Sequence, residues 1–289
     1  MVTTLTRSEV AEPATDVARI NALLAELRAA GAAVDNKEWL SSDLAGGQPA
    51  PLGALGSTER PLSALDSAGV GFLTPMISFL EEPLDQLRGD PDSVTSGATE
   101  FDTAGRDATS VAEEYRSSVG DETSEWSGEA STDYLKTGTE LADGILSIAE
   151  TSLTSAKAMI AAGEVVAKVV ADVTQLITEA VGKITPIITQ AVAAAPATFG
   201  QSIAVAIPQC VQIAVDCGTR IAGKLAELLA SGENLIKLVE GALSVLKVVK
   251  EVLSFIGEQS QSAGPAAKPA AEPTAKPADP TSPTTDEPA

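Results

Sequence analysis

The chain contains 289 residues, with 19 Lys and Arg against 40 Asp and Glu, and its formal net charge is −21. It has no histidine, which excludes Ser-His-Asp and Cys-His catalytic couples and any zinc site that needs an imidazole ligand. The acidic balance argues against nucleic acid as a partner, because Lys and Arg make the phosphate contacts. Aromatic residues form only 3% of the chain, so its 44% hydrophobic fraction predicts an aliphatic core of packed helices.

The first region, residues 1–89, is predicted to be a helical extension with a long loop. Apolar residues at helical spacing run from Thr15 to Val34 and predict one helix. Residues 35–65 then lose this periodicity and collect Gly, Pro and Ser, which predicts a loop with a short helix near Leu62–Leu65. Met1–Val10 contains no apolar run, so we expect neither a Sec-type signal peptide nor an N-terminal membrane anchor.

Residues 90–160 predict an antiparallel helical hairpin. Asp90 begins a helix-entry sequence, and residues 81–133 carry 15 acidic against 3 basic side chains, which predicts a solvated surface. Apolar residues recur every seven positions on both sides of a turn-like stretch, so two helices are expected to pair along a seam. The predicted seam consists of Val94, Phe101, Ala108, Tyr115, Tyr134, Leu141 and Ile148.

The tripeptide Trp126-Ser127-Gly128 stands in the predicted turn. Glycine allows the backbone to reverse, and a tryptophan beside it can cap the open end of the seam. With the acidic first helix and the two matched seams, this motif resembles the WxG-motif helical hairpin (ESAT-like) family of type VII secretion substrates, in its longer actinobacterial form. The resemblance covers roughly residues 90–160.

That resemblance implies export without a Sec signal, contact with the secretion machinery, and pairing of hairpins into four-helix bundles. The partner would be a small helical hairpin or a second copy of this chain, and Trp126 and Gly128 would shape the turn recognised during export. The family's usual Tyr-xxx-Asp/Glu export signal is missing, since neither Tyr115 nor Tyr134 has an acidic residue four positions later. We therefore expect that signal to come from a partner or to be cryptic.

Residues 161–258 predict a hydrophobic helical bundle region. The second hairpin helix is expected to continue through residues 156–181 until Pro186, because apolar residues there are nearly continuous. Residues 235–256 carry one apolar stripe and predict an amphipathic bundle helix. Residues 259–289 are rich in Pro and Ala and are predicted to be disordered, because they cannot bury enough apolar area to offset their ordering entropy.

Residues 184–215 contain no charged side chain, which leaves two interpretations open. Three prolines divide the stretch into short pieces and several glutamines add polar groups, which favours burial in a bundle. The alternative is a membrane-inserting or membrane-anchored helical protein, because a spanning helix needs about 20 apolar residues.

The sequence offers little for chemistry. No glycine-rich phosphate loop is present, and Cys210 and Cys217 are interpreted as small buried hydrophobes because two helical turns separate them. We therefore predict no enzyme, no cofactor and no metal site. The leading hypothesis is an all-α, non-enzymatic interaction protein of a type VII secretion system, secreted or associated with the cell envelope. A cytoplasmic helical scaffold, in which the Trp-Ser-Gly turn is accidental, is a further alternative.

Overall fold

The computed structural model describes residues 14–46 and 50–262. Every regular element in these ranges is helical and none is a strand, which confirms the predicted all-α class. The α-helices are α1 Ala14–Asp35, α2 Ser42–Ala45, α3 Ser63–Ser67, α4 Thr74–Ile77, α5 Glu82–Leu87, α6 Pro91–Glu122, α7 Glu129–Thr198 and α8 Gln201–Ser262. The predictions for Met1–Val10 and for most of the tail lie outside the described residues.

Helix α7 is the element on which the other long helices pack. Helix α6 runs antiparallel to its first half, so that Val119 lies against Gly138. Helix α8 returns antiparallel along α7, where the Cys217 thiol lies 3.4 Å from the Leu176 carbonyl oxygen. Helix α1 lies beside α7 and runs parallel to it. Ion pairs join Arg28 to Glu150 and Asp35 to Lys157 at 3.1 Å and 2.7 Å, and Ile20 and Leu24 pack against Leu146.

The expectation that the second hairpin helix ends near Pro186 is wrong. Pro186 and Pro196 lie inside α7, and Pro208 lies inside α8. All three rings face outward, while the residues around them pack between α7 and α8, among them Ile184 and Ile188. Each proline removes one intrahelical hydrogen bond, and the apolar packing between α7 and α8 stabilises both helices against that loss.

The predicted loop of residues 35–65 contains α2, a 3₁₀ turn at Leu52–Gly56 and the start of α3. These short segments, with α4 and α5, wrap around the middle of α7 and α8 and enclose the largest core. Its largest fully buried side chains include Leu62, Leu65, Leu73, Ile77, Leu80, Ile177, Ile184, Ile188 and Ile221. The boundary predicted between residues 160 and 161 falls inside α7, so the hairpin and the bundle region share one helix.

Candidate interaction surfaces

The turn between α6 and α7 is closed by its own hydrogen bonds. Thr123 is buried, and its hydroxyl donates to the Val119 carbonyl at 2.8 Å. The Trp126 N–H donates to the Thr123 carbonyl at 3.0 Å. Gly128 then precedes α7 with φ 97° and ψ −173°, a conformation that essentially only glycine adopts. The turn therefore depends on a glycine at this position.

Trp126 is presented outward on this turn, with 55% of its surface exposed. Its ring lies 5.5 Å from the Tyr134 ring at an interplanar angle of 47°. The Tyr134 hydroxyl in turn donates to the Glu122 carboxylate at 3.0 Å, and this hydrogen bond raises the pKa of Tyr134. The Trp126 ring thus packs against Tyr134 of α7, which is bonded in turn to Glu122 of α6. The rest of the ring is exposed to solvent.

The close contact between α6 and α7 is made by small residues. On α6 the buried positions repeat every seven residues at Ala98, Gly105, Ala112 and Val119. A Cβ atom on Gly105 would lie 2.7 Å from Leu153 Cγ and 3.1 Å from the Ala149 carbonyl oxygen. A Cβ on Gly138 would lie 2.6 Å from a Val119 methyl group. These two glycines set how closely the helices approach.

The structure places the predicted seam beside this contact line rather than on it. Phe101 and Ile148 are 46% and 42% exposed, and Tyr134 is exposed as well. The four remaining members are half-buried at Val94, Ala108, Tyr115 and Leu141. The physical reason is size, because small residues let the two backbones approach and the bulky neighbours are displaced to the flank. The sequence signal for the contact line was its own seven-residue repeat of Ala, Gly and Val.

These flanking residues point to one side of the bundle. On α7, Glu150 follows the buried Ala149 and pairs with Arg28 of α1. Ile148 precedes Ala149, so its side chain points about 100° away from that of Ala149 in the opposite sense, on the side away from α1. On α6, Thr99 follows Ala98 and lines a cavity shared with α1, whereas Phe101 lies on the other flank.

Helix α8 completes this side in the same way. Asn234 precedes the buried Leu235 and donates to the Trp39 carbonyl, whereas Ile236 follows Leu235 and is exposed on the opposite flank. Leu229, Ile236 and Leu243 repeat every seven residues, and all three are exposed. We call the surface on this side the open face. It is formed by Phe101, Ala108, Val111 and Tyr115 of α6, Leu141 and Ile148 of α7, and Leu229, Ile236, Leu243 and Leu246 of α8.

The open face contains a groove of about 610 Å³ between α7 and α8. Its lining is Ile148, Leu243, Leu246, Lys247, Val249, Lys250, Leu253 and Ser254. The two lysines place positive charge on the α8 side. On α6, exposed acidic residues repeat every seven positions at Glu100, Asp107 and Glu114. The open face is therefore apolar along its floor and carries positive charge on its α8 side, whereas the acidic row lies on the outer side of α6, nearly opposite the buried line of Ala98, Gly105 and Ala112.

A second cavity, of about 400 Å³, lies between α1, α6 and α7. Its charged groups are already paired, with Lys157 bonded to Asp35 at 2.7 Å and Lys37 to Glu164 at 3.1 Å. Among the described residues, no group of three or more His, Cys, Asp or Glu is placed to hold a metal ion. Cys210 and Cys217 are free and buried, and this burial raises the pKa of both thiols.

Of the described helices, α8 alone is long and apolar enough to cross a membrane, judged by length and composition. The same test is passed by core helices of soluble proteins, so by itself this is weak evidence. Those core helices are mostly buried, whereas only 22% of the apolar window in α8 is buried in this fold. The sequence-based alternative, residues 184–215, includes the start of α8 and the end of α7.

Comparisons of the chain with protein-family models, with curated proteins and with solved structures give no match. The resemblance to WxG-motif hairpins therefore remains a prediction that depends on the turn motif and the heptad pattern. The turn and the open face are interpreted from their own geometry.

Proposed function

We propose that this chain is a non-enzymatic, secreted helical interaction protein, either a substrate or an associated component of a type VII secretion system. The observation that carries the proposal is the open face, where apolar side chains of three long helices stand uncovered at seven-residue intervals. Buried apolar surface stabilises association, and exposed apolar side chains that cluster on one side of a protein favour a site of interaction.

The shape and charge of the open face favour a helical partner. Residues spaced by seven on α6 and α8 form two parallel ridges, and a partner helix with its own seven-residue repeat would pack its side chains between them. Lys247 and Lys250 favour acidic residues along one edge of that helix. The acidic row at Glu100, Asp107 and Glu114 lies on the outer side of α6 and does not contribute to this selection. A hairpin partner, or a second copy of this chain, would supply such a helix.

We assign recognition during secretion to the turn between α6 and α7. Trp126 is exposed, yet its position is set by the Tyr134 ring and by the backbone of the closed turn. A fixed, exposed aromatic ring at the end of a hairpin is a surface that another protein can recognise, because Trp buries a large area with little loss of conformational freedom.

We test this role with Trp126→Ala, measured as protein in the culture supernatant of the source organism, with a lysis control. We expect export to fall by at least about tenfold, as for the loss of a binding hot spot, while the helical circular dichroism stays unchanged. Phe72→Ala is the matched control, since Phe72 is an exposed aromatic residue far along the chain from the turn. That variant is expected to be exported normally.

Normal export of the Trp126→Ala variant would remove the turn from the proposal. If the wild-type chain is absent from the supernatant under every growth condition, the secretion proposal fails. The protein would then be the cytoplasmic helical scaffold that the sequence also allows, provided that it is recovered in the cytosolic fraction.

A further inference from the structure

The helical hairpin formed by the end of α7 and the start of α8 terminates in an uncharged apex. We define the apex as residues 191–206, which lie at the centre of the charge-free stretch 184–215. Over the whole chain 20% of the residues are Asp, Glu, Lys or Arg, so a stretch of this length without any of them is a local departure from the composition. A hairpin end that projects into water normally carries charged side chains, so their absence from both helices calls for a physical reason.

Apolar side chains of the apex face outward. Phe199 is 98% exposed and occupies a left-handed backbone conformation with φ 49°, which is uncommon for a bulky residue. Val205 is 64% exposed, and Val192 is exposed on the other helix. Phe199 thus has almost no contact within the molecule, although its conformation is costly, and the ring stands at the extreme end of the hairpin.

Several polar groups of the turn are paired internally. The Gly200 N–H donates to the Ala195 carbonyl at 3.0 Å, and the Ser202 hydroxyl donates to the Ala191 carbonyl at 2.7 Å. Thr198 accepts a hydrogen bond from the Ser202 N–H at 3.2 Å. Bonds of this kind also close helix ends in water, and here they lower the number of polar groups that the end of the hairpin would expose to lipid. In a bilayer every backbone polar group has to find its partner within the protein.

We propose that this apex inserts into one leaflet of a lipid bilayer, with Phe199 at the deepest point. The segment from Val192 to Phe199 measures about 10 Å along the helix axis, which fits within the roughly 15 Å of one hydrocarbon leaflet. Gln190 and Gln209 then lie about 14 Å from Phe199 along their helices, at the level of the headgroups. Gln201 is the single glutamine within the apex.

A lipid surface explains the observations better than a protein partner does. A docked protein covers one side of a hairpin, whereas Val192, Phe199 and Val205 expose apolar surface on both helices and at the end. Helix α8 is also mostly unburied in its most apolar window. The net charge of −21 opposes approach to an anionic membrane, so we expect the occupant to be a zwitterionic bilayer. This inference is independent of the proposed role in type VII secretion.

The test is flotation of the full-length protein with phosphatidylcholine vesicles. We expect the wild type to float, and Phe199→Asp to reduce the floated fraction by at least about tenfold, because an aspartate is expensive to place in hydrocarbon. Phe72→Asp is the control, since Phe72 is an exposed phenylalanine that belongs neither to the apex nor to the open face. That variant is expected to float like the wild type, and circular dichroism confirms that all three proteins are helical.

The depth of insertion gives a second readout. A fluorophore attached through Phe199→Cys, in a chain that also carries Cys210→Ala and Cys217→Ala, should be quenched by lipids that bear a quencher on the acyl chain. The same label placed through Phe72→Cys should not be quenched. A wild type that stays at the bottom of the gradient overturns the proposal, and so does a Phe199→Asp variant that floats fully. Concentration-dependent dimers that require Phe199 and form without vesicle binding would assign the apex to a second copy instead.

Discussion

At Gly128 the chain adopts a backbone conformation that is unfavourable for any residue with a Cβ atom. Its φ of 97° and ψ of −173° belong to a region that essentially only glycine occupies. The space around it is open, since a Cβ at this position would meet no atom within 4 Å. The requirement for glycine is therefore conformational, and it links the motif seen in the sequence directly to the entry of the chain into α7.

We expect Gly128→Ala to lower the free energy of unfolding by about 1–3 kcal/mol, the usual cost of a strained backbone position. Gly223→Ala is the matched control, because Gly223 lies within α8 and its Cβ would also meet open space. There alanine should stabilise the helix by about 0.5–1 kcal/mol. Urea unfolding followed by circular dichroism measures both changes. A loss of stability at Gly223, or none at Gly128, would contradict the assignment.

At the scale of elements, the hairpin depends on small residues at its centre. At Gly105 and Gly138 an added Cβ atom would overlap a side chain of the facing helix, and the buried Ala98 and Ala112 continue the same line. An ion pair between Arg116 and Asp143 lies beside this contact, with Asp143 largely buried. Larger apolar residues remain on the flank, which is why they are available to the open face.

We expect Gly105→Val to lower the free energy of unfolding by about 1–3 kcal/mol, because the added methyl groups would overlap Leu153 and the Ala149 carbonyl. Gly120→Val is the control on the same helix, since Gly120 is exposed and its Cβ would meet nothing within 4 Å. The intrinsic helix propensities are the same in both changes, so Gly120→Val should stay within about 0.5 kcal/mol of the wild type. Equal effects at the two sites would show that close packing is not the cause.

The sequence predicts the long helices better than it predicts their contacts. The helix expected from Thr15 to Val34 is found at Ala14–Asp35, because its apolar spacing and its turn residues agree. The apolar pattern predicts the pairing line at Phe101 and its heptad partners, because it ranks large side chains above Ala and Gly. Where two helices pack closely, the contact line is instead occupied by Ala and Gly, and the large side chains lie beside it. The motif located the turn, but it could not show that Trp126 would face solvent.

The short segments between α1 and α6 show a second limit of prediction from the sequence. Gly and Pro there break the periodicity and predict a loop, yet buried side chains such as Leu62 and Leu65 come from 3₁₀ turns and helices of a few residues. Such segments are held by contacts with α7 and α8, which are distant in sequence. Their local pattern therefore carries little signal beyond the short helix predicted near Leu62–Leu65, which the structure places at Ser63–Ser67.

The whole molecule is elongated because α7 is continuous. Its 70 residues correspond to a length of about 105 Å at 1.5 Å per residue. The sequence suggested instead that the prolines would break this region into pieces. This length separates three surfaces. The Trp126 turn lies at the start of α7, the open face runs along the first half of α7, and the apex lies at its other end.

We expect small-angle X-ray scattering to give a radius of gyration of about 30 Å or more, the value for a rod of α7's length. A compact chain of this size would give about 19 Å. Pro186→Ala is expected to leave the radius unchanged, because the helix already continues through Pro186 in the wild type. A compact wild type that becomes longer on this substitution would mean that α7 breaks at the proline and folds back. The apex would then lie against the bundle, and Phe199 could not reach a membrane in that state.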